Sequence, residues 1–196
     1  AAKNGHLDVL KYLHQNGCPW DEYACEKAAE NGHLDVLKYL HQNGCPWNEQ
    51  ACSNAAENGH LEVLKYLHQN GCPWNVQTCS NAALSGHLDV LKYLHENGCP
   101  WDEYSYTSAA WNGHLEVLKY LHHNRCPWNE ESCLSVAKRN GHLKVVEWVT
   151  TVSRKNLSNQ DKVPEEYFED RKRNRNDEQE NENEIKSNNS QKRSRL

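Results

Sequence analysis

Apolar and polar positions along this chain follow one pattern that recurs every 27 residues. Gly-His begins at positions 5, 32, 59, 86 and 113, and a sixth copy begins at 141, one residue later than the period requires. Cys-Pro-Trp begins at positions 18, 45, 72, 99 and 126. A repeat this short cannot bury its apolar face alone, so the period predicts copies that stack side by side around one continuous core.

One copy, read over residues 20–44, predicts two short helices. Asp21 suits an N-cap position, and a first helix, helix A, is predicted over residues 22–30. Gly32 is suited to the left-handed position that ends this helix, and helix B is predicted over residues 33–42. The residues at helical spacing on the core-facing sides are Cys25, Ala28 and Ala29 of helix A and Leu34, Val36, Leu37, Tyr39 and Leu40 of helix B.

The second half of each copy carries a resemblance to a known family. Residues 28–44 read AAENGHLDVLKYLHQNG, which is similar to the second half of an ankyrin repeat, Ala-Ala-x-x-Gly-His-x-x-Val-Val-x-x-Leu-Leu-x-x-Gly. The connector CPWN at 45–48 fits the Ala-Asp-Val-Asn that commonly follows, with Cys45 for the small Ala and Trp47 for the buried Val. QTCS at 77–80 takes the place of the family's Thr-Pro-Leu-His.

The resemblance covers about residues 1–150 and departs from the family in length. Typical ankyrin repeats run about 33 residues, whereas these copies run 27. The missing residues fall between Cys-Pro-Trp and helix A, where the family carries a projecting β-hairpin finger. The resemblance therefore implies an all-α fold, an ankyrin-like helix-turn-helix solenoid with shortened β-hairpin fingers. It also implies a scaffold for protein–protein interaction, without enzyme activity and without a cofactor.

The chain is expected to have two regions. Residues 1–153 form the solenoid, with about five and a half copies and a truncated N-terminal copy, and residues 154–196 form a disordered charged tail. The solenoid region has a formal charge of −6 and the tail region +1. An acidic repeat domain argues against nucleic acid as its partner, because phosphate binding needs a basic surface. No apolar run reaches the roughly 18 residues of a membrane span, so no membrane partner is expected.

The cysteines and the tail bear on localisation. Equivalent cysteines in adjacent copies should lie roughly 10 Å apart, beyond the Cα separation of about 7 Å that a disulfide allows. We therefore expect free thiols in an intracellular, cytoplasmic setting, and a monomer. Basic clusters at 171–175 and 192–195 resemble nuclear-import signals in composition and would add a nuclear location. A solvated charged tail is the other interpretation of those clusters.

Histidine and cysteine recur at fixed spacing, as they do in many metal sites. His14, Cys18 and Cys25 lie close in sequence, but the Cys-x2-Cys pair that structural zinc favours does not occur, and Tyr106 takes the Cys25 position in a later copy. A free cysteine packs as a small hydrophobic residue. We therefore expect the cysteines to pack in the core, and we expect no metal site.

The histidines after glycine and the tryptophans after proline also receive structural interpretations. Six equal histidines in a row do not converge on one site, as catalysis would require. Each ring is expected to hydrogen-bond within its own turn, and each Trp is expected to fill the seam between adjacent copies. Arg125 replaces a glycine that ends helix B elsewhere, so either Arg125 is strained by about 1 kcal/mol or Asn124 takes the left-handed position.

Comparison of the copies with one another separates the scaffold from its variable surface. Helix B hardly changes, whereas helix A varies at the third residue after Trp, in the two residues before Ala-Ala and in the residue after it. Ankyrin-like folds present helix A on the concave side, where partners usually bind, so we expect a protein partner of unknown identity there. The expected partner-binding residues are Tyr23, Glu26, Lys27, Glu30, Gln50, Glu57, Gln77, Leu84, Tyr104 and Trp111.

Two other functions remain open from the sequence. One is a metal-binding or redox-sensitive Cys/His repeat protein. The other is the recruiting arm of a larger adaptor whose effector domain is missing from this sequence. Neither function is enzymatic, and the sequence offers no nucleophile–base pair and no phosphate-binding loop.

Overall fold

Two kinds of helix alternate along the chain in the computed structural model, which describes the backbone of residues 1–160 and the side chains through residue 154. This described part contains no strand. The A helices are α2 (Glu22–Glu30), α4 (Glu49–Glu57), α6 (Val76–Ser85), α8 (Glu103–Trp111) and α10 (Glu130–Arg139), and a 3-10 turn at Ala2–Asn4 precedes them. The B helices are α1 (Leu7–Gln15), α3 (Leu34–Gln42), α5 (Leu61–Gln69), α7 (Leu88–Glu96), α9 (Leu115–His123) and α11 (Leu143–Gln160).

The predicted all-α, helix-turn-helix solenoid is confirmed. Helix A of the copy analysed above has the predicted bounds, and helix B begins one residue later than predicted, because His33 is its N-cap. The six residues 43–48 connect α3 to α4 with no strand. The β-hairpin finger, which was expected to be shortened, is therefore reduced to a turn. Each A helix packs against the A helices of neighbouring copies, and α2, α4, α6 and α8 also pack against the B helix of their own copy.

The two rows of helices pack unequally. Neighbouring A helices, such as α4 and α6, contact each other much more extensively than neighbouring B helices, such as α3 and α5. The small side chains on the A helices explain this difference, because Ala55 and Ala56 are fully buried and let the helix backbones approach closely. The B helices meet through bulkier residues, including the fully buried Leu64 and Leu67.

The A helices begin at capping residues. Side-chain oxygens of Asn48, Asn75, Asp102 and Asn129 accept hydrogen bonds from backbone N–H groups in the first turn. Asp21 is also an N-cap, but its side chain makes no such bond within the described structure. These bonds satisfy donors that a helix start leaves unpaired.

Glycine and one arginine occupy the left-handed turns. Gly32 has φ 73°, as its position after helix A predicted. Arg125 has φ 57° and is the only non-glycine residue with positive φ among the described residues, whereas Asn124 has φ −94°. The strain therefore falls on Arg125 itself.

The compact body formed by Ala1–Thr151 contains the repeats, and a second unit is formed by Val152–Leu196. The helix α11 continues through Gln160, beyond position 153, where the solenoid was expected to end. Most of the expected tail, including the basic clusters at 171–175 and 192–195, lies outside the described residues. Within the described part, no helix is both long and apolar enough to cross a membrane.

Candidate functional site

Most of the cysteines are parts of the repeat core, although Cys18, one of the two that suggested metal ligands, is exposed. Cys25, Cys52 and Cys79 are fully buried on their A helices. Cys45 and Cys72, in the connectors, are also buried, and their thiols donate to the carbonyl oxygens of the residues that cap the preceding A helices. All nine thiols are free, and no group of three or more metal-ligating side chains occurs among the described residues.

The connector thiols have a role that the sequence did not reveal. The Cys45 thiol lies 3.2 Å from the carbonyl oxygen of Asp21, and the Cys126 thiol lies 3.3 Å from that of Asp102. Each bond joins the end of one helix pair to its beginning. The sequence does contain a hint of this role, since every copy has cysteine at this position. A need for a small apolar residue there would explain the repeated cysteine equally well.

A hydrogen bond with Cys25 lowers the pKa of the Cys45 thiol. Burial keeps several other core thiols protonated. It raises the pKa of Cys133 to about 11 and that of Cys126 to about 12. A hydrogen bond with the neighbouring Cys45 thiol, together with burial, raises the pKa of Cys25. Metal binding and nucleophilic attack both require the thiolate, so these environments favour packing over either chemistry.

Four of the six histidines after glycine bond to the preceding copy, so the prediction that each ring bonds within its own turn is wrong. The Nε2 atom of His60 lies 3.1 Å from the Glu30 carbonyl oxygen, and that of His114 lies 3.0 Å from the Leu84 carbonyl oxygen. These carbonyls belong to the last turn of the A helix in the neighbouring copy, where helices leave acceptors unpaired. The spacing of the histidines in the sequence could not show whether each ring bonds within its own turn or to a residue 30 positions earlier.

Each of these rings also lies directly above a glycine. A Cβ atom added to Gly59 would lie 2.6 Å from the His87 ring, and one added to Gly86 would lie 2.5 Å from the His114 ring. The Gly-His pair is therefore a contact between copies, in which the glycine of one copy leaves room for the histidine of the next.

The second set of histidines stacks on the tryptophans. The ring of His41 at the end of α3 lies parallel to that of Trp47, with centroids 3.8 Å apart, and Tyr66 of α5 meets Trp47 edge-on at 6.3 Å. The same triad recurs with His68, Trp74 and Tyr93. The tryptophans thus lie at the seam between copies, as expected, although they are half-buried, and each stacks on a histidine of the B helix that precedes it.

The variable residues of the A helices form one stripe on each helix, accessible except at the buried Ser53. On α2, Tyr23, Glu26, Lys27 and Glu30 follow the i, i+3, i+4, i+7 spacing that places side chains on one helix face. The same spacing recurs on α4, α6 and α8. All ten expected partner-binding residues are at least partly exposed, and Tyr23, Tyr104 and Trp111 expose 59%, 66% and 45% of their surface.

Polar contacts join the stripes of adjacent helices. Lys27 forms an ion pair with Glu30, and its ammonium group lies 5.1 Å from the centre of the Tyr23 ring. The Asn48 amide donates to Glu26 at 2.9 Å, and thus links α4 to α2. We define the variable face as the four stripes together: Tyr23, Glu26, Lys27 and Glu30; Gln50, Ser53, Asn54 and Glu57; Gln77, Ser80, Asn81 and Leu84; and Tyr104, Thr107, Ser108 and Trp111.

The last A helix extends this face beyond the predicted residues. A depression of about 390 Å³ on α10 is lined by Glu130, Glu131, Leu134, Ser135 and Lys138. Glu131, Leu134, Ser135 and Lys138 lie 27 residues after the four stripe residues of α8, and the extra residue of this copy comes after them. The arrangement of the whole face is suited to contact with another macromolecule along several helices.

Comparison with known proteins agrees with this architecture. A family model described as ankyrin repeats (3 copies) matches residues 1–78 and 26–105, which together cover more than half of the chain. No curated protein matches the chain. The paired helices, the left-handed glycines and the matched residues lead to one assignment: this chain belongs to the ankyrin repeat family.

Proposed function

We propose that this protein is a non-enzymatic scaffold that binds a partner protein on the variable face. Ankyrin repeats are in general protein–protein interaction modules, and proteins built from them are typically not enzymes. The single observation that carries the proposal is that the stripe positions of α2, α4, α6 and α8 differ from copy to copy and are accessible except at Ser53. The B helices hardly change, and the fully buried positions of these A helices change at two places, from Cys79 to Tyr106 and from Ala51 to Thr78 and Ser105.

The packing of the two helix rows supports a concave variable face. Because the A helices lie closer together than the B helices, the row of A helices is the inner side of a curved stack. An inner surface lets several repeats contact one partner at once. Exposed Tyr and Trp side chains there are suitable anchors, because they supply large contact areas at low entropic cost.

The proposal also includes an intracellular, cytoplasmic location and a monomeric state. The supporting observation is that buried thiols such as Cys45 and Cys72 donate hydrogen bonds within each repeat, and this use needs them reduced. Analytical ultracentrifugation tests the monomer, and labelling with a fluorescent fusion tests the location.

The test begins with capture and identification of a partner and then measures its affinity with purified proteins. Changing Tyr23, Tyr104 and Trp111 together to alanine should weaken binding by about a hundredfold or more, since removal of interface anchors costs about 1–2 kcal/mol each. A control variant with Asp35, Gln42 and Asp89 changed to alanine alters exposed residues of the B helices instead. Equal affinity of the two variants would contradict the proposed face.

A further inference from the structure

The centre of the variable face differs in charge from its two ends. None of the eight stripe residues on α6 and α8 carries a formal charge. Interface centres are typically depleted in charge and enriched in Tyr and Trp, while charged residues lie at the rim. The uncharged stripe residues are Gln77, Ser80, Asn81 and Leu84 on α6 and Tyr104, Thr107, Ser108 and Trp111 on α8.

Leu84 and Trp111 form an apolar ledge at this centre. Both follow the Ala-Ala pair of their helices, so they occupy equivalent positions on neighbouring helices. Their backbone carbonyl oxygens are fixed by the next copy: His114 lies 3.0 Å from that of Leu84 and His142 lies 2.8 Å from that of Trp111. A side chain on a fixed backbone loses less freedom on binding, which favours affinity.

A carboxylate lies on one side of this ledge. Glu57 has the equivalent position on α4, and it is exposed. Its one polar contact within the described structure is a long one, 3.4 Å from the Asn81 amide. Glu30, one helix further, is already paired with Lys27. Glu57 is therefore the carboxylate of this row that a basic partner group can approach.

A basic residue lies on the other side. Lys138 follows Val136-Ala137 on α10 as Trp111 follows its Ala-Ala pair on α8, and it is exposed. Arg139 comes next in the chain and is also exposed. Along this edge of the A helices, the order is therefore acidic Glu57, apolar Leu84, apolar Trp111 and basic Lys138.

We propose, on the basis of the function proposed above, that this row binds an extended protein segment with two apolar residues between a basic end and an acidic end. Packed helices lie roughly 8–10 Å apart, so the three steps from α4 to α10 span about 27 Å. A chain in the extended polyproline II conformation advances about 3.1 Å per residue with three residues per turn, so each step matches about three residues and every third side chain faces the row. The expected pattern is basic-x-x-apolar-x-x-apolar-x-x-acidic, read in either chain direction.

A random twelve-residue peptide-display library, selected in parallel on purified variants, tests this pattern. The wild-type protein should enrich peptides with one basic and one acidic residue about nine positions apart. Glu57→Lys should change the enriched peptides to acidic residues at both ends, and Lys138→Glu should change them to basic residues at both ends. Asp35→Lys, on the exposed side of α3, is the matched control and should enrich the same peptides as the wild type.

The outcomes separate this inference from the proposed function. A synthetic peptide selected on the wild type should bind Glu57→Lys about three- to fivefold more weakly, the effect of one exposed charge pair, and added salt should reduce that difference. If the wild type and Glu57→Lys enrich the same peptides, the charge order is wrong but the face stands. If Trp111→Ala also enriches and binds those peptides equally well, or if the wild type enriches none, the proposed face is contradicted too.

Discussion

Tyr106 shows how one residue changes the local packing of a repeat. It is the largest fully buried side chain of the described residues, and it occupies the position that cysteine fills in other copies. Its ring lies 5.3 Å from that of Trp128, and the His122 ring there lies edge-on at 5.5 Å instead of stacked. The larger side chain has therefore taken part of the space that the histidine–tryptophan stack uses elsewhere.

Replacing Tyr106 with phenylalanine should stabilise the protein. The Tyr106 hydroxyl is buried and has no hydrogen-bond partner within the described structure, and burial raises its pKa. Because an unsatisfied buried hydroxyl costs about 1–3 kcal/mol, Tyr106→Phe should raise the free energy of unfolding by about 1 kcal/mol, measured by urea denaturation. Tyr120→Phe is the matched control and should lower it, because the Tyr120 hydroxyl lies 3.0 Å from His95. A destabilised Tyr106→Phe would contradict this account.

At the scale of the element, glycines of two kinds end the helices. Gly59 and Gly71 both have positive φ, 73° and 80°. A Cβ on Gly59 would strike the His87 ring, whereas one on Gly71 would meet no described atom within 4 Å. The same amino acid is thus required for conformation at one turn and for both conformation and space at the other.

This difference can be measured with two matched substitutions. Gly71→Ala should cost about 1 kcal/mol in the free energy of unfolding, because only the left-handed backbone is penalised. Gly59→Ala should cost about 1–3 kcal/mol more, because the His87 ring must move as well. Adding His87→Ala to Gly59→Ala should recover part of that extra loss, as a double-mutant cycle in urea would show. Equal costs at the two glycines would contradict the contact between copies.

At the scale of the whole molecule, the core is a row of buried thiols, alanines and leucines with little ionisable character. Core thiols with raised pKa values, such as those of Cys126 and Cys133, keep their protons when the protein is folded. An unfolded thiol ionises near pH 9. The repeats should therefore be stable at neutral pH and lose stability in alkali, since the unfolded chain then releases protons that the folded chain retains.

The stability of the protein should fall as the pH rises from about 9 to about 11. The pKa of Cys133 is raised to about 11, so this thiol contributes its full stabilisation below pH 9 and loses about 1–2 kcal/mol of it by about pH 10.5. Urea denaturation at several pH values should show a shallower decline for Cys133→Ala than for the wild type. Cys18→Ala should decline like the wild type, because Cys18 is exposed. An identical slope in Cys133→Ala would refute this role of the thiol.

The sequence determined the repeats and their helices because the signals for these are local. Helical spacing of Cys25, Ala28 and Ala29, a cap at Asp21 and a left-handed Gly32 fix where a helix begins, which side it buries and where it ends. The resemblance to ankyrin repeats gave the order in which such helices stack. The variable face followed from comparing one copy with the next.

The tertiary structure alone decided which groups in different copies meet. His60 bonds to the Glu30 carbonyl of the preceding copy, and His142 bonds to the Trp111 carbonyl in the same way. These partners depend on how far one helix pair is displaced from the next. That displacement is set by the packed volume of many side chains at once, and no short stretch of sequence contains it.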